Sequence, residues 1–141
     1  MKAKIILRIA AGLMFFHLLG HLVGATTWKT NPDPNVQQTI NQMLDNKFMF
    51  MGATQTLAGH HDGYGYAGAL ALLFFAIILW IISSVDVNTK AISSKIVFVT
   101  SFIILLWGIN ELIFFFPFAA AFSLISSLLG FYTLSLLRNV G

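Results

Sequence analysis

Residues 8 to 24 read RIAAGLMFFHLLGHLVG, an apolar run that opens on an arginine and carries two histidines, His17 and His21. An interval of four puts both imidazoles on one helical face, about 6 Å apart along the axis. Gly20 and Gly24 fall on the same face, and glycines four apart let a second helix come close in lipid. That face is expected to point inward. An ionisable group within hydrocarbon is costly and marks a functional site by default, with a partner to be named. The partner this chain offers is Glu111, far along the sequence.

Composition decides the solvent. Of 141 residues, 57% are hydrophobic and 9% charged, against about a quarter charged in soluble domains, and the mean hydropathy is +0.82. Several runs of about 20 apolar residues are each long enough to cross roughly 30 Å of hydrocarbon, so the partner of first resort is a lipid bilayer. The net charge of +3 does not imply nucleic acid, because the 8 Lys and Arg residues are dispersed without a cluster. The absence of cysteine excludes disulfides, thiolate metal sites, iron–sulfur clusters and a C-x-x-C relay. Any redox role therefore requires a bound cofactor.

The first span is placed at about 5–25. A basic start, an apolar core and Val23-Gly24-Ala25 also fit a cleaved signal peptide, but the run is longer than a signal core and holds two histidines, so it is expected to be retained. A polar connection, 26–63, follows as an external loop. Within it Asp33 before Pro34 reads as an N-cap with proline in the first turn. Val36, Ile40, Met43, Leu44 and Phe48 then keep helical spacing, predicting an amphipathic helix from Pro34 to about Met51 that rests on the bilayer or covers the mouth of the bundle. The glycine-rich run from Gly59 to Gly68 has no phosphate-loop pattern and reads as a flexible entry to the second span, 64–84, with Tyr64 and Tyr66 at the interface. After a polar turn containing Asp86, Lys90 and Lys95, the apolar sequence from Ile96 to Leu137 is too long for one crossing, and Pro117 divides it into spans 96–116 and 118–137. Ala119, Ser123, Ser127 and Gly130 form a small-residue stripe suited to close packing. The fold class is thus all-α: one transmembrane domain, 1–141, an integral membrane four-helix bundle with an extra amphipathic helix in the first external loop. Lys2, Lys4, Arg8, Lys90, Lys95 and Arg138 lie at one set of ends and only Lys29 and Lys47 in the long connection, which places both termini in the cytoplasm.

That topology brings His17, His21 and Glu111 to one level in the outer half of the bundle. Trp107 sits on the Glu111 face four residues earlier, Asn110 is adjacent, and His60, His61 and Asp62 enter from outside. This set, His17, His21, His60, His61, Trp107, Asn110 and Glu111, is the expected ligand-binding site. Three chemistries suit it: a divalent metal held by His17, His21 and Glu111; proton exchange by histidine; or capture of the polar head of a lipophilic ligand such as a quinone or sterol, with Trp107 and the phenylalanines around its apolar part. A bis-histidine heme cannot use His17 and His21 together, because neighbouring turns of one helix cannot reach opposite faces of one iron. The bland alternative is that these groups only tie helices together, although such bonds average about 0.6 kcal/mol in membranes. No serine-hydrolase signature is present.

The opening IILRIAAGLMFFHLLGH, through Arg8, Gly12 and His17, resembles the first helix of the DoxX-like family of small four-span bacterial membrane proteins. Chain length, span number and a long first connection are similar as well. The family tends to continue after the histidine with glycine and lysine, where this chain has Leu18, Leu19, Gly20 and His21. The resemblance implies a bacterial inner-membrane protein that partners an oxidoreductase system, in some members linked to quinones. The expected function is accordingly an outward-facing His/Glu site for a metal or a small lipophilic ligand, in an accessory or catalytic part of a membrane redox system. Two alternatives stand beside it: a non-catalytic scaffold or assembly factor binding other membrane subunits or a second copy, and an isomerase-type enzyme using Glu111 and a histidine as acid and base on a lipid-like substrate.

Overall fold

A computed structural model describes residues 2–84 and 90–138. It contains five helices and one hairpin in the order α1 (Lys2–Thr27), α2 (Pro34–Asp45), β1 (Lys47–Phe50), β2 (Ala53–Thr56), α3 (Leu57–Ile82), α4 (Lys90–Phe114) and α5 (Pro117–Arg138). Four of these helices, α1, α3, α4 and α5, are long and apolar enough to cross a membrane. The protein is an all-α integral membrane protein, and the four candidate spans overlap the expected ones; the second and third begin earlier and end two residues sooner, at Ile82 and Phe114. Asp86, expected in the turn before the third span, lies outside the described residues.

The described chain forms two compact units. The first joins residues 1–18 and 71–141, so all four long helices contribute to it. Its core holds Leu7, Met14, Leu72, Leu79, Val97 and Ile104, while the lipid-facing sides carry exposed apolar residues such as Phe16, Phe74, Phe102 and Leu128. Pro117 does what its chemistry demands, ending one helix and opening the next. Phe114, Phe115, Phe116 and Phe118 are exposed around this break.

Close packing between α4 and α5 rests on Gly130, a member of the expected small-residue stripe, and on Gly108, which was not singled out. A methyl group on Gly108 would meet the Leu124 side chain at 2.9 Å, and one on Gly130 would overlap the Ser101 hydroxyl. Gly20 and Gly24, expected to admit a neighbouring helix, have open space where a side chain would be. Their spacing matched a packing motif, but among the described residues nothing lies within 4 Å of a side-chain carbon added at either. Ser123, Ser127 and Gly130 of the small-residue stripe are buried, and Ser127 Oγ donates to the carbonyl of Ser101 at 2.8 Å.

The second unit, 19–70, contains the polar connection. Asp33 caps α2 as expected, its carboxylate accepting from the Asn35 amide at 2.8 Å with Pro34 in the first turn. The helix ends at Asp45, however, six residues before the expected Met51. Asn46 is extended, and residues 47–56 form an antiparallel hairpin pairing Lys47 with Thr56 and Phe50 with Ala53. Its two-residue turn, Met51-Gly52, has φ of 50° and 85°, the left-handed pair that matches strand twist in tight hairpins. Phenylalanine and threonine favour strand, and this local preference overrode the helical spacing of Phe48. Gly59 to Gly68, expected as a flexible entry, belongs to the first turns of α3.

Candidate functional site

The site forms in the first unit where α1, α4 and α5 meet. His17 and Glu111 are buried, at 4% and 5% exposure, and His17 Nε2 lies 3.0 Å from Glu111 Oε1. Trp107, one turn before Glu111, donates its indole N–H to the same oxygen at 2.7 Å. Ser123 of α5 donates its hydroxyl to Glu111 Oε2 at 2.8 Å, and its oxygen lies 3.2 Å from His17 Nδ1. Phe122 packs its ring 5.9 Å from the imidazole, and Phe75 meets the Trp107 ring at 6.0 Å in a T-shaped contact. Apolar surroundings thus enclose a closed polar ring in which each carboxylate oxygen and each ring nitrogen has a partner.

The donor and acceptor roles at the imidazole depend on its tautomer. With Nε2–H the ring donates to Glu111 Oε1, and with Nδ1–H it donates to the Ser123 oxygen.

Of the residues expected here, His17, Trp107 and Glu111 come together. Asn110, expected beside them, is exposed: it follows Ile109 on the outer side of α4 while Glu111 turns inward. His21, expected as a third ligand, is half-buried and its Nε2 is 2.8 Å from the carbonyl of Gly65, within the second unit. Close approach of the two helices at Gly65, where an added methyl would meet Ala25 at 3.3 Å, brings that carbonyl within reach. Among the described residues no three histidine, aspartate or glutamate side chains gather in a way that could hold a metal, so the expected His17, His21 and Glu111 triad is not assembled.

His60 and His61 also lie in the second unit, in the first turns of α3. His61 packs against Trp28 with ring centroids 4.2 Å apart and planes tilted by 46°, and His60 packs against Phe48 at 5.3 Å. Asp62 accepts from Trp28 Nε1 at 2.9 Å and from Lys29 Nζ at 2.7 Å. These contacts fix the end of the connection to α3.

Ser123 is the member of the ring that the sequence reading placed only in a packing stripe. A signal was present, because Ser123 and Glu111 stand six residues on either side of Pro117 and so at the same height in a helical hairpin. Comparison of the chain with protein-family models, curated proteins and solved structures gives no match.

Proposed function

We propose that this integral membrane protein works through the His17–Glu111 pair, which carries one exchangeable proton and engages the polar head of a small lipophilic ligand of the quinone class in a membrane redox system. The observation that carries this reading is the burial of a titratable imidazole and a carboxylate in contact, within helices long enough to span the bilayer. Such groups are expensive in hydrocarbon, and proton exchange is the work they do best. Exchange with a ligand that accepts or releases protons makes use of both states of the pair. The resemblance of the first helix to DoxX-like proteins agrees with a redox setting in a bacterial inner membrane. The distribution of Lys and Arg supports cytoplasmic termini and a long connection outside.

A scaffold role is the second reading, favoured by the completeness of the polar ring, which ties three helices together. One experiment separates the two. Lipophilic compounds extracted from gently solubilised protein are identified by mass spectrometry for the wild type, Glu111→Gln and His17→Gln. The ligand reading predicts one compound that stays with the wild type and is lost from both variants. The scaffold reading predicts the same extract from all three, with lower melting temperatures for the variants.

A further inference from the structure

A second polar feature of the first unit lies near the start of α1. Arg8 Nε donates to Ser83 Oγ at 3.4 Å, and Ser83 Oγ in turn donates to the Trp80 carbonyl at 2.6 Å. The guanidinium carbon stands 4.7 Å from the centroid of the Trp80 ring, a cation–π arrangement that also orients the planar group. Among the described residues, neither ion pair involves Arg8. Ser83 and the indole take one N–H and one face, which leaves the fork of terminal nitrogens to recognise an oxyanion in two-point fashion.

Depth selects the kind of oxyanion. The 26 residues of α1 extend about 39 Å, some 9 Å more than the hydrocarbon core. Arg8 is about 9 Å from the start of the helix, so its backbone sits a few ångströms inside the hydrocarbon edge and its long side chain reaches the headgroup level. Trp80, two residues before the end of α3, is 53% exposed, the usual disposition of an interfacial indole. Lys4 is exposed one turn before Arg8 on the same face of α1.

We propose that Arg8, Lys4 and Trp80 bind the phosphate of an anionic phospholipid. The arginine fork holds the phosphate oxygens, Lys4 supplies the second positive charge that favours an anionic over a zwitterionic headgroup, and the exposed part of the indole packs on the glycerol region. The test uses full-length protein in nanodiscs of equal phosphatidylglycerol and phosphatidylcholine, with native mass spectrometry of the lipids retained on release. Wild-type protein is expected to enrich phosphatidylglycerol, by about fivefold for each cation near an anionic surface. Lys4→Gln, which disturbs no packing, lowers the enrichment about fivefold; Arg8→Gln, which removes the fork as well as a charge, lowers it by more than that, and Arg8→Lys, which keeps the charge without the fork, falls between Arg8→Gln and the wild type. Equal lipid retention by the wild type and Lys4→Gln overturns the proposal. In phosphatidylcholine nanodiscs, stabilisation by inorganic phosphate that disappears in Arg8→Gln also overturns it, because the site then serves a free anion.

Discussion

Glu111 and Ser123 stand six residues on either side of Pro117, and the hydroxyl of one donates to the carboxylate of the other at 2.8 Å. The hairpin geometry that a proline imposes on two packed helices thus sets the acid against a hydroxyl donor. His17, from α1, completes the ring from the opposite side.

Removing one member of a buried pair strands the other. Glu111→Ala is expected to destabilise the protein by about 3 kcal/mol, read as a lowered melting temperature in mild detergent. The double variant His17→Ala with Glu111→Ala should lose less than the sum of the single changes, since the stranded imidazole is gone. Strict additivity in this cycle would show that the two side chains do not act as a pair.

Gly130 faces Ser101 so closely that no side chain fits. Gly130→Ala should therefore cost about 1–3 kcal/mol through forced separation of α4 and α5. Ser101→Ala in the same chain removes the overlapping hydroxyl and should restore part of the loss. Thermal melts of the three variants measure both effects.

Met51 occupies a left-handed conformation and is 90% exposed at the hairpin tip. Asparagine tolerates that region better, so Met51→Asn should stabilise the hairpin by about 0.5–1 kcal/mol. Slower amide exchange across the paired residues 47–56 is the expected readout. Unchanged exchange would mean that the turn does not limit the hairpin.

The four spans were legible because composition and run length alone determine what a bilayer accepts, and the proline at 117 marks its own break. The pairing of His17, Trp107 and Glu111 was legible for a similar reason: a buried carboxylate needs donors, and spacing put the indole one turn away. The division between His17 and His21 was not. Spacing places both on one face, but the nearby carbonyl of Gly65 gives the second imidazole a different partner, and that depends on how helices pack. The hairpin at 47–56 was missed because the apolar side of a short helix and an alternating strand share residues such as Phe48, and only the Met51-Gly52 turn decides between them.

Ser123→Ala removes the donor to Glu111 Oε2 and the partner of His17 Nδ1. A buried polar group left without its partner costs about 1–3 kcal/mol, so this variant should melt at a lower temperature than the wild type. An unchanged melting temperature would separate Ser123 from the pair.

The most direct measurement is infrared difference spectroscopy of the protein in lipid nanodiscs across a pH titration, comparing the wild type with Glu111→Gln. The one-proton account predicts a single carboxyl band that exchanges with solvent, is missing in Glu111→Gln and shifts in His17→Gln. The same spectrum in both proteins, with no band that depends on Glu111 at any pH at which the fold survives, would contradict it.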